Sequence, residues 1–252
     1  MRIRFLDTGP NPAAFNMAFD ETVLEGIARG DTQPTLRLYS WKPAAISVGY
    51  FQGLREEIDL AACERLGVDA VRRATGGGAV LHDAEVTYSL VVPEGHELAP
   101  PDILESYRLI CAGIVEGLAL LGVEAAFAPI NDIVAGGKKV SGNAQTRKKG
   151  VLLQHGTLLL DVDVEKMFTL LLVPQEKLKG RLIADVKQRV TGLRGLLGRE
   201  VGYREAAGAL ASGFSSAWGA DLVQAEPEAA EVEGAHRLAE AKYATEAWKF
   251  KR

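Results

Sequence analysis

Three segments of the 252-residue chain carry residue types suited to anion binding and charge stabilisation. The first is Arg72-Arg73-Ala74-Thr75-Gly76-Gly77-Gly78-Ala79-Val80-Leu81-His82-Asp83. Consecutive glycines allow close backbone approach and positive φ angles that other residues resist. Backbone N–H groups beside two guanidinium groups suit a phosphate or a carboxylate. Gly-Gly-Gly alone reads as a flexible turn between strands, and the adjacent Arg-Arg and His-Asp weigh against that. The segment is neither a Walker loop nor a dinucleotide fingerprint, because no Gly-Lys-Ser/Thr follows and the strand–glycine–helix order fails.

The second segment runs from Asn131-Asp132 through Gly136-Gly137-Lys138-Lys139 to Ser141-Gly142-Asn143-Ala144-Gln145. Asp132 and Lys139 face each other across an expected Gly-Gly hairpin. A lysine held there can neutralise charge developing on a phosphate or carboxylate oxygen. Two solvated turn lysines are an even alternative from spacing alone, and the favoured one for Lys138. The third segment is Gln154-His155-Gly156-Thr157-Leu158-Leu159-Leu160. A histidine entering an apolar strand reads first as a satisfied structural residue. The 4 histidines have no paired spacing, which argues against zinc. A Ser–His–Asp triad stays open, although no Gly-x-Ser-x-Gly elbow is present.

These segments must be positioned by helices and strands that the periodicity marks out. Strands are expected at Ile3–Leu6, Leu36–Tyr39, Ala45–Tyr50, Ala70–Arg73, Val86–Val92 and Val151–Leu160. Helices are expected at 16–27, with Asn16 as cap and Gly30 as stop, and at 60–66, 103–121, 164–172, 175–187 and 203–217. A short one is expected at 235–241, after the acidic, Ala-rich stretch 226–233. Strands and helices mix without regular βαβ alternation, which favours α+β over a doubly wound sheet. Cys111 falls in the apolar stripe of helix 103–121 and reads as a core thiol, and Cys63 in its short helix reads the same way.

Composition narrows the class. Lys and Arg number 29 against 33 Asp and Glu, so no whole-protein basic field for nucleic acid exists. No run of about 18 apolar residues is present to span a membrane, and no signal peptide is visible. Two cysteines build no disulfide framework, so a reducing cytoplasm is the expected compartment.

Together, Arg-Arg-Ala-Thr-Gly-Gly-Gly-Ala-Val-Leu-His-Asp, Asn-Asp-Ile, Lys-Val-Ser-Gly-Asn-Ala-Gln and His-Gly-Thr-Leu-Leu-Leu resemble the lipoate–protein ligase A family. The resemblance extends from Asn16-Met17-Ala18-Phe19-Asp20-Glu21 to Lys242-Tyr243-Ala244-Thr245-Glu246-Ala247-Trp248. It implies one catalytic domain over 1–252, of the kind shared with biotin ligases: mixed and antiparallel sheets flanked by helices. It implies an ATP-dependent ligase that adenylates lipoate or octanoate and passes the acyl group to a lysine. The acceptor would be a lipoyl carrier, of the glycine cleavage H protein or 2-oxoacid dehydrogenase E2 type.

By that resemblance Lys139 is the central catalytic lysine. Arg72 and Arg73 bind the acyl–phosphate region, and Thr75, Gly76, Gly77 and Gly78 wrap the acyl-adenylate. Asn131 and Asp132 form a nucleotide side, with Asp132 toward Mg²⁺. His82, Ala144, His155 and Thr157 line the pocket, and Trp41 borders the acyl tunnel. ATP and Mg²⁺ are the expected cofactors. Many ligases carry a small accessory domain after this point, so a separate accessory protein is a further expectation.

The rival is an octanoyl-carrier-protein transferase. In that group a cysteine nucleophile sits in a longer segment before the central lysine. Here the stretch Phe127-Ala128-Pro129-Ile130-Asn131-Asp132 is shorter and has no cysteine, and none follows Lys139. On that ground the ligase is the expected activity. A non-catalytic lipoyl- or carrier-binding homologue is the third reading.

Overall fold

In the computed structural model, residues 1–172 and 176–252 are described. Their strands are β1 (Arg2–Asn11), β2 (Thr35–Trp41), β3 (Ala45–Val48), β4 (Asp69–Arg72), β5 (Val80–His82) and β6 (Glu85–Pro93). They continue with β7 (Ala125–Ala128), β8 (Asp132–Ala135), β9 (Lys138–Lys148), β10 (Val151–Leu159) and β11 (Asp221–Gln224). An 8-stranded sheet runs β11-β1-β2-β6-β10-β9-β8-β7, and a 3-stranded sheet runs β4-β3-β5. β1 pairs parallel with β2 and β11, and β3 with β4; the other pairings are antiparallel.

The helices are α1 (Ala13–Arg29), α2 (Leu54–Glu57), α3 (Leu60–Leu66), α4 (Ile103–Leu120) and α5 (Val164–Leu170). After them come α6 (Glu176–Arg189), α7 (Leu193–Leu197), α8 (Tyr203–Trp218), α9 (Ala229–Leu238) and α10 (Glu246–Lys249). This is the expected α+β class with mixed and antiparallel sheets flanked by helices. Among the described residues, no helix is long and apolar enough to cross a membrane.

Side chains alternate across a strand, so a fully buried strand must feed two environments. On β6, Val86, Tyr88, Leu90 and Val92 join the core that α4 and α8 cover. The intervening Glu85, Thr87 and Ser89 are equally buried but polar. β2 divides the same way: Leu36 and Leu38 enter that core. Arg37, Tyr39 and Trp41 alternate with them, and Tyr39 and Trp41 belong to a second core under α1. The sheet thus has one plain, mainly apolar face, where Gln154 and Tyr88 Oη bond each other, and one face carrying more buried polar groups. α4 and α8 approach closely because glycines meet at their crossing: a Cβ on Gly213 would stand 2.2 Å from the Gly117 nitrogen.

Several local expectations shift. Asn16 is not the cap of α1, which starts three residues earlier after Pro12. Its buried side chain donates to the carbonyls of Asn11 and Ser40 instead. Gly30 does end the helix, in the left-handed conformation at φ 81°. The helix expected at 235–241 starts earlier, at Ala229. Glu228 and Glu231 form a capping box, and α9 begins there. Of the helix expected at 175–187, Gln175 lies outside the described residues.

Candidate functional site

A cavity of about 350 Å³ opens on the polar face of the large sheet, where the small sheet stands against it. Met17, Tyr39, Trp41, Leu81, Leu159 and Met167 give it apolar walls. Arg73, His82, Lys139, Asn143 and His155 give it polar ones.

Lys139 stands at its rim. Gly136 and Gly137, at φ 55° and 74°, close the expected hairpin between β8 and β9. The pairing register slips just after Lys139: Val134 faces Lys139, but Ile133 faces Ser141. Such a bulge re-aims the side chains beside it. Lys139 Nζ lies 2.7 Å from Asp132 Oδ1, with the two side chains 40% and 33% exposed. Gly142 clears its path, since a Cβ there would fall 2.8 Å from Lys139 Nζ.

The two arginines separate. Arg73 is buried against the cavity and wires the glycine turn together. It donates to the carbonyls of Gly76 (2.7 Å) and Gly78 (2.7 Å) and to Ser47 Oγ (3.0 Å). Burial pulls its guanidinium down to about 10, still cationic near neutrality. Arg72 does not reach the cavity. Its guanidinium donates to the carbonyls of Gly49, Tyr50, Gln52, Trp248 and Lys249, tying the chain end to β4. The expected acyl–phosphate role for Arg72 is therefore corrected: alternation on β4 turns it to the opposite side from Arg73.

Other expected residues sort similarly. Gly77, Gly78, Asn131, Ala144 and Thr157 line the cavity; Thr75 and Gly76 stand behind it. Thr75 Oγ1 is hydrogen-bonded to His155 Nε2 at 2.7 Å. Asp132 is turned to Lys139, so the carboxylate expected to hold a metal is already paired. Among the described residues, no group of three His, Cys, Asp or Glu side chains is spaced to hold a metal. With Asp132 committed to Lys139, the expected magnesium ligand is not free in this structure.

Two buried networks were not anticipated. In one, Asp20 accepts from Arg37 (2.9 Å), Ser89 (2.7 Å) and Tyr39 (3.0 Å), and faces His155 Nδ1 at 3.7 Å. Burial pushes the Asp20 carboxyl up, but His155 and Arg37 outweigh it and the net shift is downward. Burial holds His155 below its ordinary value despite Asp20. In the other, His82 lies between Ser47 and Glu85, each 2.8 Å away, with its ring stacked on Trp41 at 4.1 Å. Thr87 Oγ1 donates to Glu85 at 2.5 Å and accepts from Trp41 Nε1 at 2.7 Å. The signal in the sequence was the polar alternation Glu85, Thr87, Ser89 inside an otherwise apolar strand.

Both cysteines lie away from the cavity. Cys111 packs into the core beneath α4, on the plain face of the large sheet. Cys63 on α3 packs with Ile46 and Val48, whereas Ser47 between them faces the cavity. Burial pushes the Cys63 thiol up to about 11 and the Cys111 thiol up to about 12.

Residues 12–215 match the family model of the lipoyl protein ligase A/B catalytic domain. Octanoyltransferase LipM of Geobacillus kaustophilus is 41% identical over 272 aligned positions, covering 99% of this chain and 98% of that protein. Octanoyltransferase LipM of Bacillus subtilis is 39% identical with the same coverage. Among solved structures, the bi-partite lipoate protein ligase of Thermoplasma acidophilum, studied with its E2 lipoyl domain, superposes with a TM-score of 0.89. It is 30% identical, and the match covers 99% of this chain and 96% of that one. A lipoate-protein ligase A bound with ATP gives 0.84 at 29% identity, over 99% of both chains. The expectation of an ATP-dependent ligase is overturned here, because the full-length relatives at about 40% identity are octanoyltransferases. That expectation rested on the missing cysteine. The 272 aligned positions exceed the 252 residues, so at least 20 positions have no counterpart in this chain.

Proposed function

The chain belongs to the lipoyl protein ligase A/B catalytic-domain family, and we propose that it is a protein octanoyltransferase. It takes an octanoyl group from a thioester-linked carrier protein and delivers it to a lysine of a lipoyl-accepting domain. The acceptor is of the glycine cleavage H protein or 2-oxoacid dehydrogenase E2 type. The observation that carries this reading is the full-length identity to octanoyltransferases. The cavity is consistent with it: about 350 Å³ lies at the small end of ligand sites, suited to a short acyl chain. Burying roughly six methylenes there contributes about 5 kcal/mol toward holding the donor.

The polar rim suits the reacting end. As the thioester carbonyl turns tetrahedral, its oxygen gains charge, and the Lys139 ammonium is placed to stabilise it. Asp132, paired with Lys139, keeps that ammonium at the rim. His155 and Thr157 line the wall, with His155 held against the start of the glycine turn by Thr75. The test compares donors on one acceptor domain. Octanoyl-acyl carrier protein without ATP is expected to yield octanoyl-lysine, read by intact mass. Transfer from octanoate plus ATP, with the thioester inert, is the result that sinks the reading.

A further inference from the structure

Thioester transfer is commonly split into two displacements by an enzyme nucleophile. Neither cysteine reaches the cavity. A hydroxyl does. β3 and β5 pair antiparallel, with Ser47 opposite Val80 and Ala45 opposite His82. Ser47 and His82 are therefore diagonal neighbours on one face of the small sheet, close enough for their side chains to meet.

We propose that Ser47 is the acyl-accepting nucleophile, activated by His82 and oriented by Glu85, so that the octanoyl group passes through a Ser47 ester. This rests on the octanoyltransferase reading and adds the covalent intermediate to it.

The geometry carries three of the parts that such catalysis needs. Ser47 Oγ lies 2.8 Å from His82 Nε2, and His82 Nδ1 lies 2.8 Å from Glu85 Oε1. An ionised carboxylate only accepts, so Nδ1 carries the proton and Nε2 is left to accept from the Ser47 hydroxyl. Trp41 and Thr87 fix that arrangement from behind. Arg73 supplies a further part: its donation to Ser47 Oγ at 3.0 Å stabilises an alkoxide. All four side chains line the cavity. Glu85 Oε2 is buried with no partner among the described residues, a costly arrangement for a merely structural carboxylate.

Ser47 itself is fully covered in the free protein. Attack therefore requires Arg73 Nη1 to pass its hydrogen bond from Oγ to the incoming carbonyl oxygen, while Nη2 keeps its bonds to Gly76 and Gly78. In the first displacement His82 Nε2 takes the Ser47 proton as Oγ bonds the carbonyl carbon. The C–S bond breaks, and the departing sulfur takes that proton, giving a free carrier thiol and an octanoyl ester on Ser47. In the second, the neutral amine of the acceptor lysine attacks the ester carbonyl. The C–O bond breaks, and the amine's surplus proton returns to Ser47 Oγ through His82. The products are an amide and the original hydroxyl, with no external oxidant or reductant.

The test incubates the full chain with octanoyl-acyl carrier protein, without acceptor, followed by acid quench and peptide mass mapping. An octanoyl adduct on the peptide containing Ser47 is expected, discharged to octanoyl-lysine when the acceptor domain is added. Ser47→Ala should lose adduct and transfer together. Ser47→Cys should form a hydroxylamine-labile adduct, which keeps the test open if the alanine variant unfolds. His82→Gln should lower the rate by about 10²–10⁴-fold. The double variant Cys63→Ala, Cys111→Ala should still acylate. Transfer by folded Ser47→Ala at the unmodified rate, or an adduct mapped to a cysteine, overturns the proposal and leaves the transferase reading standing. No transfer from the thioester by the unmodified chain overturns both.

Discussion

Gly49→Ala provides a stringent test of how the glycine turn is held. A Cβ at residue 49 would stand 2.1 Å from the Gly77 carbonyl oxygen and 3.0 Å from the Gly76 and Gly77 carbonyl carbons. Those are backbone atoms, so relief requires the turn to move by roughly 1 Å to reach ordinary contact distance. The turn is not free to move. Tyr50 N donates to the Thr75 carbonyl at 2.8 Å, and Arg73 holds Gly76 and Gly78. Overpacking of this kind costs about 1–3 kcal/mol. For a chain of this length that lowers Tm by roughly 2–12 °C. A shift of that size at a reacting centre also lowers the rate by about 10²-fold. Gly76→Ala is the control, since nothing lies within 4 Å of its would-be Cβ. Thermal unfolding and steady-state transfer measure both effects. A Gly49→Ala protein with unchanged Tm and kcat/KM, or a Gly76→Ala protein equally damaged, refutes the reasoning.

Lys139→Ala is expected to lower kcat by about 10²–10³-fold, the loss for one oxyanion donor, with Tm nearly unchanged because the side chain is half-exposed. Arg72→Met is expected to do the reverse. It leaves carbonyls at Gln52 and Lys249 without their donor, costing about 1–3 kcal/mol in urea unfolding while the KM for acyl donor holds. Acidification should destabilise in two stages, read by denaturant midpoints across pH. His155 resists protonation in the fold, so the unfolded chain binds that proton first and stability falls as pH drops below about 6.5. Asp20 is held below its ordinary value, so its contribution is present above about 4 and is lost as pH falls through the folded value. His155→Gln should remove the first stage alone.

The elements were legible where one physical signal dominated. The stripe along 103–121 required a helix, and the Gly136-Gly137 dipeptide required a hairpin; α4 and the β8–β9 turn follow. Cavity-lining residues were legible where several rare types adjoin, as at Arg73, Gly77, Gly78 and His82. What failed was assignment between neighbours. Arg72 and Arg73 are equivalent as letters, and only the strand's alternation sends one to the chain end and the other to the cavity. Gly77 needs its φ of 96°, and a Cβ there would stand 2.7 Å from the Arg73 guanidinium; Gly76 and Gly78 have open space. Three identical letters thus carry one strong backbone requirement. Ser47 and Glu85 were passed over because each is an ordinary polar residue until its strand is known to be buried on both faces.

The cysteines show how a sound local inference led to a wrong global one. Their helical periodicity makes both core thiols, and both are buried. The step from "no available cysteine" to "no thioester chemistry" assumed that sulfur is the only acceptor the fold could offer. A hydroxyl is a weaker nucleophile than a thiolate, so it must be supplied with a base, an orienting acid and a nearby cation. Strand pairing delivers those in this chain: β5 brings His82 beside Ser47, the start of β6 brings Glu85 behind His82, and the end of β4 leads to Arg73. On this reading, a chain with no counterpart for at least 20 of the aligned positions retains acyl transfer by placing the nucleophile on a strand.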